Sequence, residues 1–213
     1  MSRPMENAYR FIKDKILDGT YMPSQKITET ELSEIIGVSR NTVKKALLKL
    51  EQENLVNIES NKGAFIKSFT LEEVMNYLEI REVLEGVVAR TAVKNINESE
   101  LDKMEEILVM MGDHLKNNRF DAYSSLNKEF HNIIYQASKN IQAVEMISVI
   151  KNQLLRYHFR TILVPGRNTS SYEEHQNIFK AFKEQDEVAA EKYIRIHIAN
   201  VRETVKNNFT YLI

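Results

Sequence analysis

Between Leu55 and Ser68 the apolar residues of this chain alternate, whereas before and after that stretch they recur every three or four positions. This change of period constrains the fold more than any other feature. A period near 3.6 makes an amphipathic helix, and a period of two makes a half-buried strand. LVNIES and AFIKS are therefore expected to be two short strands around Asn61-Lys62-Gly63, a sequence suited to a hairpin turn. The rest of the chain is expected to be helical.

Before the hairpin, Ala8, Phe11, Ile12 and Ile16 mark one face of a helix from Met5 to Leu17, which Gly19 ends. After a loop through Pro23, TETELSEIIG predicts a short helix with Leu32, Ile35 and Ile36 inward and Gly37 as its terminator. Gly37-Val38 is a tight turn. Ser39 then suits the N-cap of a third helix, whose apolar stripe is Val43, Ala46, Leu47 and Leu50. Residues 1–68 thus read as one domain: helix, helix, helix, hairpin.

Residues 69–213 read as a second, all-helical domain. Thr70 and Glu73, and again Asn97 and Glu100, have the spacing of capping boxes. Between them Val74, Leu78, Leu84 and Val88 form an amphipathic stripe. Further helices are expected near 98–117, 120–138, 141–163, 171–184 and 187–208, with Pro165-Gly166 separating the fourth helix from the fifth. Six helices joined by short loops predict an antiparallel bundle. The fold class is mainly α: an N-terminal winged helix–turn–helix followed by an all-α antiparallel helical bundle.

The chain has no cysteine, which excludes disulfides, thiol nucleophiles and cysteine-held zinc, and suits a reducing compartment. No apolar run approaches the ~20 residues of a membrane span, and MSRPMENAYRFIKDK has no signal core. A cytoplasmic protein without a membrane partner is expected. Up to Thr70 there are eleven Lys and Arg against nine Asp and Glu, net +2, which leaves −3 for the remainder of a chain whose total is −1. So small an asymmetry puts any nucleic-acid argument on local arrangement.

That arrangement lies at the front of the third helix. The second helix of a helix–turn–helix enters the major groove with its N-terminal residues at base edges, so it must be polar in front and apolar along one side. Arg40 suits guanine O6 and N7, and Asn41 suits adenine or a phosphate. Ser39, Thr42 and Lys44 suit phosphate oxygens, helped by the positive end of the helix. Lys62 stands at the tip of the wing, and Gly63 lets the backbone come close to DNA. The competing reading of such a helix in isolation is a solvated, well-capped surface helix.

All five histidines lie beyond residue 113. Asn127 and His131, four apart, share a helix face; His175 sits near the start of another helix and His197 in the middle of the last. Three imidazoles and a side-chain oxygen that converged would suit Zn, Ni, Mn or Fe with open positions. Spacing alone does not bring them together, and a single helical His is more often structural. Met104, Met110 and Met111 read as core filler.

The stretch from Ile27 to Ile66 resembles the winged helix–turn–helix of the GntR family of bacterial transcription regulators. The resemblance is carried by ELSEIIGVSR, by Ala46-Leu47-x-x-Leu50-Glu51, by Leu55-Val56 and by Lys62-Gly63-Ala64. It departs at Thr42, where the family often has Pro, at Lys44, where it has Arg, and at Pro23-Ser24 in place of Pro-Gly. LNKEFHNIIYQAS and PGRNTSSYEEHQNIFKAFKEQDEVAAEKYIRIH resemble the FCD-type ligand-binding domain of the FadR subfamily, in a six-helix, VanR-like form. The resemblance implies a double-stranded DNA operator, a homodimer, and a divalent metal held by Asn127, His131, His175 and His197. Asn127 replaces the family's Asp, a neutral and weaker donor. It also implies a small carboxylate effector met by Arg81, with Arg156 and Arg160 as further candidates that surface ion pairs would equally explain. A metal-free pocket using the same polar cluster is the alternative for the site. For the protein as a whole, the alternatives are a metal-dependent hydrolase or an architectural DNA-binding protein without an effector. Against an enzyme, there is no HExxH, nucleophile elbow or phosphate loop.

Overall fold

A computed structural model describes residues 3–60, 62–154 and 161–212. The chain separates into two compact units, Met1–Thr70 and Leu71–Ile213.

In the first unit, α1 (Arg3–Leu17) starts two residues earlier than its apolar pattern, because Pro4 needs no intrahelical donor in the first turn. Ala8, Tyr9, Ile12 and Ile16 face inward. A two-residue strand β1 (Lys26–Ile27) precedes α2 (Glu29–Ile36). The Thr28 side chain caps α2, and Gly37, at φ 74°, ends it. Leu32 is buried and Ile36 packs at the core edge, but Ile35, expected inward, is 56 % exposed. Two turns of helix present only a narrow stripe to the core, and Leu32 and Ile36 fill it.

Helix α3 (Arg40–Gln52) buries Val43, Ala46, Leu47 and Leu50, as the stripe requires. Asn54, at φ 56°, turns the chain into β2 (Val56–Glu59), which pairs antiparallel with β3 (Gly63–Ile66). The sheet has the order β1-β3-β2, so β1 lies on the far side of β3. Three contacts tie α1 to the end of α3: the Tyr9 hydroxyl donates to Glu53 at 2.7 Å, Lys13 reaches Glu53 at 2.7 Å, and Lys49 sits 3.7 Å over the Tyr9 ring.

The second unit is a bundle with six helices among the described residues: α4 (Leu71–Val93), α5 (Glu98–Lys116), α6 (Phe120–Ser138), α7 (Ile141–Gln153), α8 (Arg167–Lys183) and α9 (Glu187–Leu212). The Asn97–Glu100 capping box opens α5 with both reciprocal bonds in place. The sequence predicts one helix over 141–163, but α7 ends at Gln153, where Leu154 leaves the helical conformation (φ −100°, ψ 9°); residues 155–160 lie outside the described residues. Helix α8 begins four residues before its expected start, directly after Gly166, whose φ of 81° makes the entry turn. Helix α4 packs on α6, α7 and α9, and α8 packs on α5 and α9. The core of Val88, Met104, Met111, Phe130, Ile134, Ile178, Phe182 and Ile194 surrounds the polar residues that concern function.

Candidate DNA-facing helix and metal centre

The front of α3 is built by its cap. The Ser39 hydroxyl accepts from the Thr42 amide at 3.2 Å and lies 2.8 Å from the Thr42 hydroxyl. Ser39, Arg40, Asn41 and Lys44 are exposed and Thr42 is half-buried. Neither Arg40 nor Lys44 has an ion pair among the described residues, so both charges face outward from an unneutralised helix end. Lys62 is also exposed, and its ammonium pairs with Glu59 at 2.9 Å. Gly63 has a role that the sequence did not reveal. At φ 109°, a Cβ there would lie 3.2 Å from the Ile27 carbonyl, so the residue admits β1 beside β3.

In the bundle, His131 from α6, His175 from α8 and His197 from α9 come together, with one ring nitrogen of each within 4.8 Å of the others. All three are buried. His175 Nε2 lies 3.3 Å from His131 Nε2, close to the separation of two nitrogens about 2.05 Å from one tetrahedral zinc. His175 Nδ1 lies 2.5 Å from the Ser171 carbonyl, which can only accept, so the proton sits on Nδ1 and Nε2 is the basic atom. His197 Nδ1 lies 2.6 Å from Glu174 Oε2, with the same consequence. Glu174 is held in turn by Arg167 at 2.8 Å and by Asn200 at 2.7 Å.

Asn127, one turn before His131 on α6, has its Oδ1 buried with no hydrogen-bond partner among the described residues. An orphaned amide oxygen one turn before His131 on the same helix face, with three converging imidazoles of which two keep Nε2 basic, is a donor set that suits a divalent cation. Burial, more than any neighbour, holds His131 well below the ordinary imidazole range and brings His175 down to about 4. Both are therefore neutral at pH 7, the form a metal requires.

One turn beyond His131 a second polar group is buried. Arg81, 1 % exposed, pairs with Glu85 at 2.9 Å, and the Tyr135 hydroxyl donates to the same Glu85 oxygen at 2.7 Å. Burial opposes the Arg81 charge, but Glu85 outweighs it and raises the pKa above the usual value. Lys151 on α7 lies 3.5 Å from the Tyr135 hydroxyl; burial first, and the Arg81 charge second, bring its pKa down to about 8. Arg81 thus points inward, but Glu85 already engages it. Arg156, Arg160 and His158 lie outside the described residues. Sequence reasoning missed Glu85, Tyr135, Lys151, Arg167, Ser171 and Glu174. The available signal was the spacing Tyr123, Asn127, His131, Tyr135, a polar row at every fourth position of α6.

Comparison with known proteins follows the same division. The family described as bacterial regulatory proteins, gntR family, matches residues 4–66, and the FCD domain matches residues 76–200. The HTH-type transcriptional repressor RspR of Escherichia coli strain K12 is 25 % identical over 94 % of this chain and 88 % of its own. The HTH-type regulator YdhC of Bacillus subtilis is 28 % identical over 93 % and 89 %. Among solved structures, a putative GntR regulator from Rhodococcus sp. RHA1 superposes with a TM-score of 0.71 at 19 % identity, covering 97 % of this chain and 99 % of that one. McbR/YncC of E. coli gives 0.69, also at 19 %, covering 100 % and 98 %.

Proposed function

The chain belongs to the GntR family of bacterial regulatory proteins and carries an FCD domain; on that premise we propose that it is a homodimeric repressor whose hold on its operator is set by a small carboxylate bound beside a metal ion in the helical bundle. As a member of this family it is a transcription regulator and not an enzyme. Among the described residues, no helix is long and apolar enough to cross a membrane.

Two copies place two α3 helices on half-sites of a near-palindrome. Arg40 and Asn41 read base edges. Ser39, Thr42, Lys44 and Lys62 hold phosphates, and DNA draws Lys62 away from Glu59. The repressor sign follows the printed name of RspR. Asn127, His131, His175 and His197 hold the divalent cation, which when bound supplies a concentrated positive charge with open positions. Ser171 and Glu174 keep two of the imidazoles in the ligating tautomer. Arg81 and Lys151 add positive charge one turn away, and Glu85 and Tyr135 orient Arg81. Binding then alters operator affinity to the extent that the carboxylate prefers one pose of the dimer.

The convergence of three buried histidines, two with an oxygen partner on the far nitrogen, carries this reading. The test is elemental analysis of the purified protein, followed by operator binding with small organic acids, with and without a chelator. About one metal ion per chain is expected in the wild type and much less in His175→Ala. Undiminished metal in that variant rejects the site, and operator binding indifferent to every acid rejects the effector.

A further inference from the structure

Of the residues exposed on α3, Arg40, Asn41, Lys44, Lys45 and Gln52 are polar or charged, whereas Leu48 is apolar and 44 % exposed. Single apolar side chains on a surface are ordinary. The position of this one is not. Successive residues of an α-helix turn by about 100°, so Leu48 lies about 20° from Asn41 and about 40° from Lys44 in projection down the axis. It stands away from the buried stripe of Val43, Ala46, Leu47 and Leu50, in the arc between Arg40 and Asn41.

The two borders of that arc are fixed by packing. On one side Lys49 lies over the Tyr9 ring of α1. On the other, Glu51 Oε1 accepts from the Ile58 amide at 2.8 Å, which ties α3 to β2 and so to the wing. Leu48 lies on the side of α3 left open between α1 and the wing. Lysine or glutamine would suit a helix there equally well and would be better solvated. A major groove offers leucine one specific partner. Thymine carries a C5-methyl group at the groove edge, which adenine, guanine and cytosine lack, and leucine gains by burying against it.

We propose that Leu48 reads a thymine methyl group in each half-site of the operator, as a specificity-determining residue beside Arg40 and Asn41. The proposal rests on the reading of α3 as the helix that enters the groove, and adds the base that its third turn selects. From Asn41 to Leu48 the helix rises roughly 10 Å, the span of about three base pairs at roughly 3.4 Å each. The thymine therefore lies about three base pairs from the pair that Asn41 meets. Leu48 offers no hydrogen bond, so the contact discriminates by the methyl group alone.

The experiment uses the full-length protein and operator duplexes selected with it from random sequence. Each thymine is replaced singly by deoxyuridine, which removes the methyl group and leaves base pairing intact. Affinity is measured for the wild type, Leu48→Ala, Leu48→Gln and Leu48→Met, all checked for folding by thermal melting. The wild type is expected to lose about fourfold at one thymine in each half-site, the value of one buried methyl group. Leu48→Ala and Leu48→Gln lose most of that difference and keep the preference at the pair that Arg40 reads. Leu48→Met, still apolar and of similar size, retains the difference. A wild type indifferent to deoxyuridine at every thymine overturns the role of Leu48, and so does a methyl dependence that persists unchanged in Leu48→Ala. Either result leaves the groove reading of α3 standing, which Arg40→Ala tests on the same duplexes. If neither Arg40→Ala nor Leu48→Ala alters base preference at any position, both readings fall together.

Discussion

Glu174 joins more of the polar interior than any histidine does. One of its oxygens meets His197 Nδ1 at 2.6 Å and Arg167 at 2.8 Å, and the other accepts from Asn200 at 2.7 Å. A carboxylate behind a ligating imidazole fixes the ring and makes it more basic, and its loss typically costs 10–100-fold in metal affinity. Glu174→Gln keeps the shape and removes the charge, so competition against a chromophoric chelator should show weakening of about that size. Unchanged affinity would reduce Glu174 to a support for Arg167. On the DNA side, Arg40→Ala should cost about 1–3 kcal/mol and relax specificity at one base pair, read by binding to a set of singly substituted operators. Uniform weakening across the set would make Arg40 a phosphate contact. The histidines were legible because residue type announces ligand chemistry. Their partners were not, because Glu, Ser and Arg near a helix start look the same whether they face solvent or an imidazole. Glu174 and Glu173 are neighbours in sequence, and only the rotation of α8 puts one of them against His197.

Among the elements, those long enough to show a period were legible and those too short or too polar to show one were not. The stripe of α3 and the alternation of β2 and β3 follow directly from their periods. Strand β1 has two residues, too few to show a period, and it exists because β3 offers it an edge. The start of α8 was hidden because Arg167 to Ser170 carry no apolar residue, so nothing in them marks a helix face. The wing depends on Gly63 in two ways: its φ of 109° disfavours a side chain, and a Cβ would press on the Ile27 carbonyl. Gly63→Ala should therefore destabilise the first unit by about 1–3 kcal/mol, seen as a lower urea midpoint for the winged domain. Operator affinity should fall with it. A stable variant that still fails to bind would place Gly63 at the DNA instead of at β1.

For the molecule as a whole, the two units should respond to acid in different windows. In the bundle without metal, His175 has a folded pKa of about 4 against an ordinary value of 6.5, because burial disfavours its charged form. The unfolded chain thus takes up protons first as pH falls, and stability rises with pH wherever the unfolded state binds more of them. The contribution of His175 is complete above pH 6.5 and is lost between 6.5 and about 4, on the order of 3 kcal/mol at most. His131 acts in the same direction. In the winged unit, burial would raise the pKa of Glu53, but hydrogen bonds from Lys13 and Tyr9 and the charges of Lys13 and Lys49 overcome it and leave the carboxyl below its ordinary 4.5. That contribution is present above pH 4.5 and is lost only as pH falls below it. Hydrogen exchange on the chelated protein should therefore show peptides of the bundle losing protection from pH 7 to 5, after correction for intrinsic exchange, while peptides of the winged unit keep theirs. His175→Asn should flatten the bundle's response, since a neutral amide has no proton to gain. Equal loss in both units over that range would mean that the histidines do not govern the acid response of the bundle.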